Sequence, residues 1–109
     1  MLQANLNILV SNEKRDDILD IFRSVLEPTR VEPGCIRCFL CQDLLDEDRL
    51  RFTAEWRTPE ALDNYLRSTL YRSVLAAIDL AAEVPEIKIH VISETHGLEY
   101  IIAARAGQH

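Results

Sequence analysis

One stretch constrains this chain more than any other: residues 32–56, EPGCIRCFLCQDLLDEDRLRFTAEW. It reads as a β-hairpin. Pro33-Gly34 is a turn signal that opens the first strand. Cys35–Gln42 is rich in residues that suit a pleated sheet, with Ile36, Cys38 and Leu40 on one face and Arg37, Phe39 and Cys41 on the other. Residues 43–48 are polar apart from Leu44 and Leu45 and form the connection. Arg49–Trp56 then alternates cleanly: Leu50, Phe52, Ala54 and Trp56 against Arg49, Arg51, Thr53 and Glu55. A period of two over that length is the pattern of a half-buried strand. Thr58-Pro59-Glu60 follows as a helix start, with Thr as cap, Pro in the first turn and an acid at the positive helix end.

The flanking segments read as elements that pack on this hairpin. In residues 2–10, Leu2, Ala4, Leu6, Ile8 and Val10 alternate with Gln3, Asn5, Asn7 and Leu9, which predicts a first strand. Ser11 or Asn12 can cap a helix whose first turn holds Asp16 and Asp17 and whose stripe holds Ile18, Phe22, Val25 and Leu26; Pro28 is expected to stop it. Pro59–Leu66 predicts a short helix. Ser68 can cap another, with Leu70, Val74, Leu75, Ile78 and Ala82 on one stripe and Pro85 at its end. Ile87, Ile89 and Val91 alternate with Lys88 and His90 as a fourth strand. In Leu98–Arg105 the spacing of Leu98, Ile101, Ile102 and Arg105 fits a helix, whereas Tyr-Ile-Ile favours a strand; the helix is the reading taken.

The order β-α-β-β-α-β predicts an α+β fold, a ferredoxin-like four-stranded antiparallel sheet with its helices on one face. Residues 1–109 are expected to form one domain with a C-terminal tail from about residue 95. Because Leu9, Phe39, Cys41 and Ile92 fall on the helix-free side, that face is expected to need cover too, most simply from a second copy in a two-fold homodimer.

Charge and composition exclude several classes. With 18 acids against 12 bases and a net charge of −6, there is no basic patch for nucleic acid or an anionic membrane. Apolar runs such as residues 74–78 are far too short to span a bilayer. The N-terminus MLQANLNILV has no basic region and no cleavage motif. Three cysteines, an odd number, argue against a disulfide framework and for a reducing cytoplasm.

Two clusters suggest metals and are better read otherwise. Cys35, Cys38 and Cys41 form C-x2-C-x2-C, but on a strand Cys38 is expected to face away from the other two, and no fourth cysteine exists. Asp43, Asp46, Glu47 and Asp48 lack the glycine that a calcium loop uses for its sharp turn. No metal site is expected. Asn5 and Asn7 are more informative, because asparagine is depleted in strands; exposure or a satisfied buried amide is one reading and a pocket role the other.

The run EPGCIRCFLCQD, with the later EWRTPEALDNYLRS, resembles the antibiotic biosynthesis monooxygenase (ABM) superfamily over roughly residues 5–93. The resemblance implies a dimeric α/β barrel with a pocket between sheet and helices. It also implies oxidation of quinols or polycyclic phenols by O2 without metal or flavin, so no cofactor is expected. Such chemistry needs a phenol held, deprotonated and shielded from water. On this reading Trp56, Phe22 and Leu75 enclose the substrate, Asn7 and Tyr65 orient its oxygens as the catalytic pair, and Tyr71 is a second donor. Where many members carry a histidine nine residues after the tryptophan, this chain has Tyr65, a poor base near neutral pH. Where the haem-degrading branch has its axial histidine, this chain has Leu75, which cannot ligate iron. Asn7 matches that branch's asparagine, with Asn5 in the same phase. None of His90, His96 and His109 falls at a family position. The expected activity is a cofactor-independent monooxygenase acting on a small quinol or phenolic aromatic. The alternatives are a non-catalytic dimeric module that binds a small aromatic ligand, and an isomerase or degradative enzyme for a small carbonyl compound.

Overall fold

The computed structural model describes residues 1–107; His109 lies outside the described residues. The elements run β1 (Leu2–Leu9), α1 (Arg15–Arg30), β2 (Cys35–Gln42), β3 (Arg49–Trp56), α2 (Pro59–Leu66), α3 (Thr69–Asp79), β4 (Glu86–Val91) and α4 (Leu98–Arg105). The strands form one antiparallel sheet in the order β2-β3-β1-β4, the ferredoxin-like arrangement that the element order predicts. Register follows the alternation. Leu2, Ala4, Leu6 and Ile8 stand opposite Trp56, Ala54, Phe52 and Leu50 on the helix side. These residues meet Ile18, Phe22 and Val25 of α1 and Leu62, Tyr65, Val74 and Ala77 of α2 and α3 in the core. Burying such side chains out of water is the main stabilising term.

Three local expectations are corrected. Pro28 lies inside α1 and does not stop it. The last turn is held from outside: Thr29 bonds Tyr65, and Arg30 Nε donates to the Cys38 carbonyl at 2.9 Å. Those tertiary bonds outweigh the missing proline N–H. The helix begins at Arg15 with Lys14 at the cap position and no side-chain cap, so neither Ser11 nor Asn12 plays that part. α3 ends at Asp79, six residues before Pro85. The other caps are as expected: Thr58 Oγ1 accepts from Ala61 N at 3.1 Å, and Ser68 Oγ from Tyr71 N at 3.3 Å.

β2 carries a further correction. A bulge between Cys35 and Arg37 shifts the register, so Cys35 pairs with Trp56 while Cys38 pairs with Ala54. Cys35 and Cys38 therefore share the helix side, and only Cys41, opposite Arg51, faces away.

The helix-free face is more polar than expected. Its cross-strand rows are Arg37-Glu55-Gln3-His90, Phe39-Thr53-Asn5-Lys88 and Cys41-Arg51-Asn7-Glu86. Gln3 Nε2 donates to Glu55 at 3.0 Å, Arg37 Nε donates to Glu55 at 2.8 Å, and Thr53 Oγ1 donates to Asn5 Oδ1 at 2.7 Å. Exposed apolar surface collects elsewhere, on β4 (Ile87, Ile89, Val91) and α4 (Leu98, Ile101, Ile102).

Candidate active site

The hairpin and the two short helices after it build an apolar pocket on the helix side of the sheet. Its floor is Ala4, Asn5 and Leu6 of β1 with Phe52 and Ala54 of β3. Leu62, Tyr65, Leu66, Tyr71 and Val74 of α2 and α3 roof it, and Ile87 and Ile89 of β4 form the open rim. The pocket has a volume of about 40 Å³ and is open at the β4 rim. That volume alone suits a water or a dioxygen molecule; anything as large as an aromatic ring would extend into the open rim.

Three aromatic rings stack away from the floor. Trp56 and Tyr65 lie with centroids 4.7 Å apart, and Tyr71 meets Tyr65 edge-on at 5.3 Å. The Tyr65 hydroxyl is engaged behind the pocket, 3.0 Å from Thr29 Oγ1, and both residues are buried. Burial raises the Tyr65 phenol well above its ordinary 10.0; the Thr29 hydrogen bond offsets part of that. Burial also raises Tyr71. Both phenols are therefore held neutral, as hydrogen-bond donors or acceptors and not as bases. Burial pushes the Cys38 thiol up to about 12 and raises Cys35 as well, with Glu32 adding to the effect at Cys35. Neither cysteine is an activated nucleophile. Among the described residues, no carboxylate or imidazole lines the pocket, and no group of three or more His, Cys, Asp or Glu side chains is placed to hold a metal ion.

The six expected site residues separate in space. Tyr65 and Tyr71 line the pocket. Trp56 is fully buried behind Tyr65, and its indole N–H has no partner among the described residues. Phe22 is fully buried against Phe52, 5.0 Å between centroids, in the core on the helix side of the sheet and not in the pocket wall. Leu75 is 48% exposed and turns away from the pocket; its neighbour Val74 takes the inward position. Asn7 belongs to the helix-free face, where Arg51 Nε donates to its Oδ1 at 3.3 Å and its Nδ2 donates to Glu86 at 3.4 Å. The sheet thus stands between Asn7 and Tyr65, so one pocket in one protomer cannot hold both. Asn5 likewise turns its side chain to that face, donating to Gln3 Oε1 at 3.0 Å.

Thr29 is the residue that sequence reasoning misses. Ile18, Phe22, Val25 and Thr29 fall on one helical face, so the signal is present, but ending the helix at Pro28 hides it.

Comparison with known proteins agrees with this architecture. The curated relative named "Uncharacterized protein sll1783", from Synechocystis sp., is 33% identical over 93 residues, which are 84% of this chain and 63% of that protein. The chain thus spans less than two-thirds of that relative's length. A crystal structure described as an antibiotic biosynthesis monooxygenase superposes with a TM-score of 0.77 at 24% identity, over 86% of this chain and 100% of the other. A conserved protein from Methanosarcina mazei Go1 gives 0.77 at 24% identity, over 82% and 89%. These two show the fold. The family profile described as Antibiotic biosynthesis monooxygenase matches residues 1–77, the segment that holds β1 through most of α3 and so nearly all of the pocket, and the chain belongs to that family.

Proposed function

We propose that this chain is a small monooxygenase that oxidises a phenolic or quinol-type aromatic with O2 and without a cofactor, in the pocket beneath α2 and α3. The observation that carries this reading is the make-up of the wall. Apolar side chains surround the hydroxyl-bearing ring of Tyr71, whose Oη has no hydrogen-bond partner among the described residues. A substrate ring enters at the rim between β4 and α3, and Tyr71 donates to its oxygen. Because burial keeps Tyr71 protonated, it remains a donor while the substrate becomes an anion. The electron-rich anion then reduces O2. One oxygen atom joins a ring carbon and the other leaves as water, with both electrons supplied by the substrate. The wall offers no general base, so the substrate's own acidity sets the rate. Hydroquinones and hydroxylated polycyclic aromatics fit that requirement, and the rate should rise with pH as they ionise.

The same missing base favours a second reading, a module that binds such a ligand without turning it over. Oxygen uptake by the purified, metal-free protein against a panel of these compounds separates the two. The enzyme consumes O2, and Tyr71→Phe slows it roughly tenfold, the scale of one hydrogen bond to a charged oxygen. A binding module shifts its melting temperature with ligand and consumes none. We take the working unit to be a homodimer, because β4 and α4 leave apolar surface bare. We place it in the cytoplasm, where Cys35, Cys38 and Cys41 persist as the free thiols seen here. No described helix is long and apolar enough to cross a membrane.

A further inference from the structure

Three of the four strands have helices packed over them; β4 does not. Its register with β1 puts Ile87, Ile89 and Val91 on the helix side, opposite Leu6, Ala4 and Leu2, yet these three are 52%, 48% and 80% exposed. The chain also carries the opposite irregularity. α4 holds Glu99 and Arg105 at its two ends, yet Leu98, Ile101 and Ile102 stand exposed and no residue of the helix is buried. An eight-residue helix is too short to persist in water unsupported, and Leu98, Ile101 and Ile102 give this one an apolar surface that packing against other apolar side chains would take out of water. The bare strip and the bare helix match in length. Eight helical residues span about 12 Å, and Ile87 to Val91 spans about 13 Å.

The two are not joined within one copy. Ile92 N donates to the Met1 carbonyl at 2.8 Å, so the ladder continues past β4 and carries the chain beyond the end of the sheet. The radius of gyration is 16.2 Å, against about 13 Å for a compact chain of this size. We propose that α4 of one copy seats on the β4 strip of a second copy, reciprocally, and closes the rim of that copy's pocket with Ile101 and Ile102. A second copy is the occupant these surfaces fit, because each copy carries both halves of the contact. A two-fold exchange then satisfies all four surfaces at once. The pocket it closes is the one assigned above to an aromatic substrate. The closure rests on that reading only for what the pocket holds.

Cross-linking tests the exchange without any turnover, so a chain that proves inactive still answers the question. In a Cys35→Ala, Cys41→Ser background, one preparation carries Ile89→Cys and another carries Ile101→Cys. Both positions are solvent-exposed, so neither change disturbs the core. The mixture is treated with a flexible bismaleimide. The expected result is an adduct of twice the chain's mass, absent from either preparation alone and lost when Ile102→Glu is added to the α4 copy. If the mixture gives no adduct while a chain bearing both cysteines closes internally, α4 folds back on its own strand and the exchange is overturned. Failure of both, with α4 amides exchanging at unprotected rates at every concentration, overturns docking altogether.

Discussion

The hydrogen bond between Thr29 and Tyr65 is buried and joins residues 36 apart in the chain. Thr29→Val keeps the shape and leaves the phenol without its partner, a loss of about 1–3 kcal/mol. Urea unfolding should show it as a lower midpoint with an unchanged slope. Four groups on this side, Cys35, Cys38, Tyr65 and Tyr71, hold their protons more tightly folded than unfolded. The folded state therefore binds more protons than the unfolded state once pH passes the ordinary thiol value of 9.0 and phenol value of 10.0. Their contribution is fully present below pH 9 and is lost as pH rises above it. Unfolding free energy measured from pH 8 to 11 should fall, and Cys38→Ala should flatten the slope near the thiol range. Residue by residue, the sequence is most legible where its period is strict. Alternation puts Trp56 in the core and also puts Asn7 on the face opposite Leu6 and Ile8. The resemblance groups Asn7 with Tyr65, whereas the period of β1 sets Asn7 on the other face, opposite Arg51. Leu75 fails for a different reason: Val74 and Leu75 are both apolar, and helical spacing alone cannot choose the inward one.

At the scale of elements, the hairpin is entered through a close approach. Gly34 has φ of 83°, and a Cβ there would lie 2.5 Å from Ala61 Cβ in α2. Gly34→Ala therefore meets a strained backbone and an overpacked contact together, costing about 1–3 kcal/mol. Adding Ala61→Gly should recover only part of the lost melting temperature, because the backbone term remains. Pro33-Gly34 is legible as a turn, but nothing local announces that α2 presses on it. The bulge after Cys35 is equally silent in sequence, because it depends on pairing with Trp56 and Glu55. The extension of α1 past Pro28 belongs to the same class, since the bonds that hold it come from Tyr65 and β2. Helix existence, phase and most caps were readable from local chemistry, and the exceptions are where tertiary contacts override it.

For the whole molecule, the element order gave the sheet topology because short connections and antiparallel pairing leave few alternatives. The placement of exposed apolar surface did not follow, because the burial of β4 and α4 depends on what lies beyond one chain. The central claim is that the cavity under α2 and α3 is the ligand site, and Trp56 makes it measurable. It is the chain's one tryptophan and it stacks on a wall residue of that cavity. The measurement is an anaerobic titration of Trp56 fluorescence with a hydroquinone. The account predicts a saturable, one-site change whose midpoint moves roughly tenfold higher in Tyr71→Phe. In Asn7→Ala, across the sheet and sharing no partner with the pocket, it should stay within about twofold. A fluorescence that never saturates would contradict the claim, as would a response lost in Asn7→Ala and untouched in Tyr71→Phe.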